Sequence, residues 1–512
     1  MRVGCIYSAG LVAALALDSA VGSSNSAPPS PPVSMPSAAA PATAVTPRLP
    51  LQAPVWMLAG AALGNWVGNL AARRGLGGGS KLDGLISEAQ FNRAPVRFKY
   101  KPPVLPEDAE DIHSPKDPVL KKDEVKNHVF EAKPKSTCVI DYDYLETFIK
   151  DTFLKYGCTK ADAALCADVL ISSDKRGIDS HGIGRLKPIY CDRLDIGILN
   201  AQSHMSILKQ TPTTAVVDGG LGLGLAIGPK CMQLAIDKAK KHGIGMVAVR
   251  NSTHYGFAGY YALMAEKEGC IGITGTNARP SIAPTYGVEP MMGTNPLVFG
   301  MPTDESFPFV LDCATSVNQR GKIEKYARES LPMPPGAVIC ASGEELTDAN
   351  QILDELVARR AALTPLGGAG HEMAGYKGYG YAATVEILCA ALQGNKWGEE
   401  LSDAYIEDGV KKRRPSSLGH FFIAINVESF TSLDEFQRTC GQILRDLRGS
   451  EKDPNAGGRI YTAGEPEHLA WVHRSNTGGT PVPKKLQEDM AQLRDNFPAK
   501  LQEKYRSLPF EK

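Results

Sequence analysis

From residue 138 onward, short segments rich in β-branched residues alternate with amphipathic helical segments, and this pattern constrains the fold more than any other feature. Strands that alternate with helices assemble into a sheet with helices packed on it, so the pattern predicts an α/β domain. The predicted strands are 215–217, 246–249, 271–274, 297–299, 309–311 and 421–427, and the predicted helices include 144–156, 159–174, 230–241, 255–268, 377–392 and 433–448.

Composition divides the chain into four parts. The first 72 residues carry only three charged side chains, Arg2, Asp18 and Arg48, and combine apolar runs with a Ser/Pro/Ala-rich tract. They predict a targeting segment at 1–74 and a disordered N-terminal extension, followed by a polar, proline-rich linker at 75–136. The remaining parts are a predicted catalytic domain at 137–485 and a predicted C-terminal tail at 486–512.

The apolar stretch at 51–72 leaves two interpretations open. Its length is close to the roughly 20 residues that span a bilayer, so it is either a membrane anchor or part of a cleaved targeting sequence. We expect an organellar location, in a plastid or mitochondrion after processing, with membrane anchoring or the secretory pathway as the alternative. Either interpretation predicts membrane contact only through this N-terminal segment.

Charge and cysteine usage exclude several classes of protein. The chain has 56 basic and 56 acidic side chains, so it lacks the positive charge that a nucleic-acid-binding protein requires. Its 11 cysteines are an odd number without any Cys-x-x-Cys pair, which favours reduced thiols over a disulfide framework or zinc site. No metal site is predicted.

Two histidines are the candidate catalytic residues. His181 lies in the run Asp179-Ser180-His181-Gly182, with Arg185 one helical turn beyond, and His254 lies where a predicted strand leads into a helix. An imidazole that takes up a proton and a guanidinium that holds a carboxylate are what the oxidation of a 2-hydroxy acid requires. Asp312 is a third catalytic candidate, because a carboxylate near a histidine could orient it.

The glycine-rich run at 219–224 follows a predicted strand and precedes a helix, as in dinucleotide-binding folds. However, no frame satisfies Gly-x-Gly-x-x-Gly, and no Gly-Lys-Ser/Thr follows. We interpret the run as a tight structural crossing.

Four other segments are better candidates for binding a cofactor. Gly256 and Gly259 lie in the first turns of the predicted helix after His254, where free backbone N–H groups would bind a phosphate. Because ligands lie beyond the strand ends of open α/β sheets, Asp312 and Thr315 are favoured as well. The remaining segments are the polar, glycine-bearing loops at 293–296 and 375–380.

Taken together and in this order, these segments resemble the malate/L-lactate dehydrogenase family of the second type, which includes sulfolactate and ureidoglycolate dehydrogenases. The matching runs are 179–182 with Arg185 and Tyr190, 251–261 (NSTHYGFAGYY), 293–296, 311–316 (LDCATS), 365–380 and 464–467. The resemblance covers the chain from about residue 138 to its C-terminal region.

The resemblance implies a non-Rossmann α/β fold, NAD or NADP as cofactor, and a homodimer with its active site near the subunit interface. It makes His254 the acid/base and Arg185 the residue that binds the substrate carboxylate. It places Ser180 and His181 at the nicotinamide and substrate, and Asn277 beside the substrate. The remaining predicted cofactor contacts are Gly256, Gly259, Thr294, Asn295, Ala314, Thr315, Ser316, Lys377 and Gly378.

The predicted function is the nicotinamide-dependent interconversion of a 2-hydroxy acid, foremost malate, and its 2-oxo acid. Alternatives on the same fold act on lactate, sulfolactate, ureidoglycolate or a cyclic imino acid. A metal-dependent hydrolase using His181, His254 and Asp312 lacks the usual ligand spacing. A more distant alternative is a membrane-tethered binding protein without catalysis.

Overall fold

The computed structural model describes residues 137–511, except residues 329 and 457. The predicted targeting segment, linker and disordered extension therefore lie outside the described residues. None of the helices in the described part combines the length and the hydropathy that a bilayer crossing requires.

A seven-stranded mixed sheet forms the centre of the fold. In chain order the strands are β1 (Cys138–Ile140), β2 (Ser206–Gln210), β3 (Thr214–Asp218), β4 (Ile244–Ser252), β5 (Cys270–Thr276), β6 (Leu297–Met301), β7 (Phe309–Cys313), β8 (Val338–Cys340), β9 (Ala361–Leu363), β10 (Ala404–Glu407), β11 (Val410–Arg413), β12 (Leu418–Asn426) and β13 (Thr480–Val482). The large sheet has the order β2–β3–β4–β12–β5–β6–β7, and β1–β13, β8–β9 and β10–β11 form two-stranded pairs.

Within the large sheet only β3 and β4 pair in parallel, and the other neighbours run antiparallel. The α/β class and the non-Rossmann fold are thus confirmed, because a dinucleotide-binding fold needs a mostly parallel sheet. Strand ends therefore do not single out Asp312 or Thr315, because β7 runs antiparallel to its neighbour β6. The run at 219–224 crosses beside β4, where Gly219 N donates to the Arg250 carbonyl at 2.8 Å.

The α-helices are α1 (Tyr142–Lys155), α2 (Lys160–Lys175), α3 (Asp192–Asp195), α4 (Gly224–His242), α5 (Gly259–Lys267), α6 (Arg320–Arg328), α7 (Ala349–Val357), α8 (Gly375–Ala390), α9 (Leu433–Arg448), α10 (Glu465–Asn476), α11 (Lys484–Asp495) and α12 (Ala499–Lys504). Thr159 accepts a hydrogen bond from Asp162 N at 3.1 Å and caps the start of α2.

Helices cover both faces of the sheet. Neighbouring residues of a strand point to opposite faces. Phe422 belongs to the main core, which includes residues of α4 and α5, whereas Phe421 packs with Val385 and Cys389 of α8. A smaller core, around Ile282, Ile323 and Ile352, lies between α6, α7 and the β8–β9 pair.

Two predictions about helices need correction. The helix after His254 begins at Gly259 rather than at residue 255, so His254 lies in a loop. The helix predicted at 377–392 as buried has an apolar outer face: Tyr381, Ile387 and Leu392 are each at least half exposed.

The prediction of a C-terminal tail is also wrong. Residues 486–512 contain most of α11 and all of α12, and Phe497, Tyr505 and Leu508 are buried in the main core. The ring of Tyr505 lies 5.1 Å from that of Phe148, and its hydroxyl donates to Asp151 at 2.8 Å. The polar surface of these helices made them read as a tail, whereas their few apolar residues complete the core around α1.

A buried histidine joins three central strands. His420 of β12 has no exposed surface, and its ring nitrogens lie 2.7 Å from the hydroxyls of Thr276 on β5 and Ser252 on β4. Its ring stacks on Tyr255 at 4.5 Å. Burial lowers the pKa of His420 to about 3, so the ring is neutral at physiological pH.

This burial predicts a pH-dependent contribution to stability. Because the folded pKa of His420 is lower than the ordinary value of 6.5, the unfolded chain binds more protons between about pH 6.5 and pH 3. The contribution of His420 is therefore fully present above pH 6.5 and is lost as the pH falls. We expect the free energy of unfolding, measured by urea titration, to fall between pH 7.5 and pH 5 in both proteins. The fall should be roughly 2 kcal/mol smaller in His420→Gln than in the wild type.

The control is His204→Gln, at an exposed position, which should follow the wild-type pH dependence. Equal losses for the wild type and His420→Gln would show that the buried ring does not carry this linkage.

Candidate functional site

The loop that carries His181 is fixed from two sides. Arg474 of α10 makes a bidentate ion pair with Asp179, at 2.6 and 2.8 Å. Asp174, at the end of α2, accepts a hydrogen bond from Ile183 N at 2.8 Å. A side chain at Gly182 would place its Cβ 1.9 Å from a carboxylate oxygen of Asp174, so only glycine fits there. The Asp-Ser-His-Gly run is thus a rigid loop.

After this loop the chain makes a 3₁₀ turn (Ile183–Arg185) and then a π-helical turn (Leu186–Cys191). A π-helix closes i→i+5 hydrogen bonds, so residues five apart lie on the same side. Arg185 and Tyr190 are so related, and the charge of Arg185 acts on the buried Tyr190 hydroxyl. The π turn therefore brings both side chains to the same site.

The structure brings the two predicted histidines together. Their rings stack at 5.7 Å with an interplanar angle of 16°. The hydroxyl of Tyr190 lies 2.7 Å from Nδ1 of His254, and Gly256 N donates to the same nitrogen at 3.2 Å. Ser180 Oγ lies 2.8 Å from Nδ1 of His181, and Arg185 Nε donates to the Ser180 carbonyl.

Both histidines are neutral at physiological pH in this environment. Burial lowers the pKa of His254 well below its ordinary value, and the positive charges of Arg193 and Arg185 and unfavourable electrostatics with His181 lower it further. Burial and the charge of Arg185 lower the pKa of His181 to about 4. Two stacked neutral imidazoles avoid the repulsion that two imidazolium ions would have at this separation.

Four arginines near these histidines influence one another electrostatically. Burial lowers the pKa of Arg279; Asp403 opposes this effect, and the charges of Arg193, Arg320 and Arg185 add to it. Arg193 forms an ion pair with Asp403 at 3.1 Å, and Arg320 forms one with Glu324 at 2.9 Å, whereas Arg279 keeps part of its surface exposed. The charges of Arg185 and Arg279 therefore favour anions in this region.

Sequence reasoning assigned no role to Tyr190, Arg193 or Arg279. Tyr190 and Arg279 both lie within or beside runs that were singled out, Tyr190 five residues after Arg185 and Arg279 two after Asn277. Nothing in the local sequence marks Arg193.

Asp312 does not orient either histidine. Its carboxylate accepts a hydrogen bond from Gly259 N at 2.7 Å, and the partner of His254 is Tyr190. The same contact corrects the expectation for the two glycines. The N–H groups of Gly256 and Gly259 are used by His254 and Asp312, so they are not free for a phosphate.

Asn277 is fully buried and both ends of its amide are used. Its Nδ2 donates to Glu386 at 3.1 Å, and its Oδ1 accepts from Gly419 N at 2.8 Å. The structure therefore contradicts a substrate contact by this side chain, which instead links β5 to β12 and α8.

The remaining predicted cofactor segments converge on one another. Thr315 N donates to the Thr294 carbonyl at 3.0 Å, and Leu366 N donates to the Thr315 carbonyl at 2.9 Å. Ser316 forms a bridge with Pro365, and Gly378 packs against the backbone of Leu366. Ala314 and the exposed Lys377, in the first turn of α8, belong to the same segments.

Asn295 lies in this group of loops. Its Nδ2 donates to Glu386 at 2.7 Å, whereas its Oδ1 is buried and has no hydrogen-bond partner among the described residues. A buried acceptor of this kind is costly unless a ligand satisfies it.

Among the residues that the structure describes, no group of three or more His, Cys, Asp and Glu side chains could hold a metal ion. The ten cysteines in this part of the chain are free thiols, and six of them are buried.

The chain is similar to known proteins over this whole region. Residues 140–491 match the profile of the family described as Malate/L-lactate dehydrogenase. A malate dehydrogenase of Pyrococcus abyssi is 41% identical over 354 residues, which are 69% of this chain and 93% of that protein. An L-sulfolactate dehydrogenase of Methanocaldococcus jannaschii is 36% identical over 345 residues, 67% of this chain and 93% of that protein.

Solved structures agree. The crystal structure of malate dehydrogenase from Entamoeba histolytica matches with a TM-score of 0.67 and 41% identity, and the match covers 71% of this chain and 99% of that one. The extent of these matches, together with the paired histidines of the site, leads to one conclusion: the chain belongs to the malate/L-lactate dehydrogenase family.

Proposed function

We propose that this protein is a nicotinamide-dependent dehydrogenase that interconverts a 2-hydroxy acid, foremost malate, and the corresponding 2-oxo acid. One observation carries the proposal: His254 is hydrogen-bonded to Tyr190 and stacked on His181, with arginines near these rings. Relatives named malate dehydrogenase, about 40% identical to this chain, support malate as the substrate.

NAD or NADP is the proposed cofactor, and the converging loops fit such a group. The buried, unpartnered Oδ1 of Asn295 would accept a carboxamide N–H, and Lys377 in the first turn of α8 would bind a phosphate. When bound, the nicotinamide supplies the hydride acceptor or donor. Thr294, Ala314, Thr315, Ser316 and Gly378 would line its site.

The hydrogen bonds of His254 define how it handles a proton. Burial raises the pKa of the Tyr190 hydroxyl well above its ordinary value, so Tyr190 stays protonated. Gly256 N can only donate, so Nδ1 of His254 is an acceptor and the neutral ring carries its proton on Nε2. To protonate the oxygen of a 2-oxo acid, the ring must first take up a second proton on Nδ1, because a neutral ring that gave up its Nε2 proton would become an imidazolate ion. The imidazolium ion then donates its Nε2 proton to that oxygen and returns to the neutral state.

In the reverse direction Nε2 must take the hydroxyl proton, which requires the tautomer with the proton on Nδ1. A tyrosine hydroxyl both donates and accepts, so Tyr190 is a partner for either tautomer. No carboxylate bonds this ring among the described residues, and the substrate itself must offset the charge of the imidazolium ion. The negative charge of a substrate bound beside Arg185 and Arg193 would raise the pKa of His254 towards physiological pH.

The surrounding charges favour a substrate with two anionic groups. Arg185 would bind the carboxylate next to the reacting carbon through two parallel hydrogen bonds. Arg279 would bind a second anionic group, such as the distal carboxylate of malate or the sulfonate of sulfolactate. Lactate, ureidoglycolate and cyclic imino acids lack that group and are secondary candidates.

We also propose a homodimer, with the exposed apolar face of α8 as part of the interface. Tyr381 and Ile387 on this face, and Leu392 just after the helix, support it, because burying large apolar side chains favours association. We propose an organellar location and membrane contact only through residues 1–74, on the composition of that segment.

The central test is His254→Ala. We expect kcat for malate oxidation to fall by roughly 10²- to 10⁴-fold, because general acid–base catalysis is lost. Cofactor binding, followed by nicotinamide fluorescence, should be retained. His204→Ala, at an exposed position, is the matched control. A near-normal rate in His254→Ala would refute the assigned role. Because the cofactor is NAD or NADP, the wild type is assayed with each of them.

Tyr190→Phe tests the partner of His254. Loss of one hydrogen bond of about 1 to 1.5 kcal/mol should lower kcat roughly tenfold and alter the pH profile, with little change in KM. The control Tyr156→Phe removes a hydroxyl that is hydrogen-bonded to Asp195 at 3.1 Å, and it should leave kcat and the pH profile unchanged. An unaltered pH profile in Tyr190→Phe would show that Nδ1 does not depend on this hydroxyl.

Arg279→Gln tests the second anionic site. A charge-assisted hydrogen bond of about 1.5–3 kcal/mol predicts a roughly 10- to 100-fold fall in kcat/KM for malate and sulfolactate. The value for lactate should stay the same. Arg185→Lys is the comparison, since it should lower kcat/KM for all three substrates. A parallel loss for malate and lactate in Arg279→Gln would contradict the assignment.

A further inference from the structure

A second cavity lies behind the two histidine loops. It measures about 380 Å³, within the range of about 300–1,000 Å³ that is usual for small-molecule sites. None of His181, Arg185, Tyr190 and His254 lines it. The cavity is thus separate from the cleft to which the reaction has been assigned.

The run Gly464-Glu465-Pro466-Glu467, which the proposed reaction does not use, builds one wall. Gly464 has φ of 92°, and a Cβ there would lie 2.7 Å from the Pro308 carbonyl. This close approach seats the start of α10 against the strand β7. Glu467, in the first turn of α10, consequently lines the cavity opposite Asp312 of β7, whose carboxyl it influences electrostatically.

The charges of the cavity wall do not balance. Three carboxylates, Glu266, Asp312 and Glu467, face two cations, Arg176 and Lys267. Burial raises the pKa of Glu266 to about 7 and of Asp312 to about 6, and it raises the pKa of Glu467 as well. A cation bound beside these three carboxylates would stabilise their ionised forms.

A fourth carboxylate of the cavity wall, Glu305, is already neutralised. It pairs with Arg448, and Arg445 lies 3.5 Å from it. It therefore does not add to the unbalanced charge.

Thr303, Ser306 and His468 add polar groups to the wall, and much of the remainder is apolar or aromatic. Phe257, Leu263, Phe307 and Trp471 line it, and the guanidinium of Arg176 lies 4.7 Å from the centre of the Trp471 ring. Aromatic rings accommodate both an apolar body and a nearby cation.

We propose that this cavity binds a small organic cation, a primary ammonium group on an apolar body, and that this ligand is an effector of the enzyme. The ammonium group binds among Glu266, Asp312 and Glu467, and the apolar body packs against Phe257 and Trp471.

The effector role follows from what the cavity touches. The carboxylate of Asp312 accepts a hydrogen bond from Gly259 N, at the start of α5, at 2.7 Å. The loop before α5 carries His254. Phe257 in that loop and Ile178 in the loop of His181 also line the cavity. A cation bound to Asp312 therefore acts on both histidine loops. This part of the inference rests on the proposed function, whereas binding itself does not.

The experiment uses the full chain and calorimetric titration with 2-phenylethylammonium chloride at pH 7.5, with 2-phenylethanol as the neutral isostere. We expect saturable binding of the cation and at least tenfold weaker binding of the alcohol. Glu467→Gln and Asp312→Asn should each weaken cation binding at least tenfold. The control Glu503→Gln, whose side chain is 76% exposed, should bind like the wild type. Both variants are nearly isosteric with the wild type, so if one of them does not fold, the other still tests the site.

Kinetics provide the second measurement. We expect the saturating cation to change KM or kcat for malate at least twofold in the wild type and not in Glu467→Gln. The absence of saturable binding, equal binding of the alcohol, or unchanged binding in folded Glu467→Gln and Asp312→Asn would each overturn the site. Binding without a kinetic change would overturn the effector role. If malate is not oxidised at all, the proposed function fails, and calorimetry still decides the site.

Discussion

The hydrogen bond between Tyr190 and His254 joins the two halves of the candidate active site. Tyr190 belongs to the π turn after the loop of His181, and His254 belongs to the loop between β4 and α5. The first half is held by the Asp179–Arg474 ion pair and by Asp174, and the second by the sheet. Without this contact, no hydrogen bond described for the site would link the two loops directly.

Burial and positive charge act in the same direction on this pair of histidines. Both lower the pKa values of His181 and His254, which keeps the rings neutral and allows them to stack. The same positive charge attracts an anionic substrate, and binding of that substrate removes the effect on His254. The proposed substrate binding and proton uptake at His254 are therefore coupled by electrostatics.

The sequence allowed the α/β class, most elements and the two histidines to be predicted, because these depend on local patterns. Helix α9 has the predicted bounds, Leu433–Arg448, since Ser432 caps a strongly amphipathic segment. The start of α5 was misplaced because the loop before it is rich in apolar and aromatic residues that resemble a helix.

Errors in the site arose where the partner of a side chain is distant in sequence. Asp312 is bonded to Gly259, and Asn277 to Glu386, 109 residues away. No local pattern announces such a contact. The C-terminal helices were missed for a related reason, because their few buried residues pack on α1 at the opposite end of the described chain.

The place of β12 has a consequence for synthesis of the protein. This strand, Leu418–Asn426, is inserted between β4 and β5, which precede it by more than 140 residues. Until the ribosome has released it, the facing edges of β4 and β5 have no partner, and unpaired edges promote aggregation. The central sheet can therefore close only after this late segment has been synthesised, which lengthens the time during which the two edges are open to aggregation.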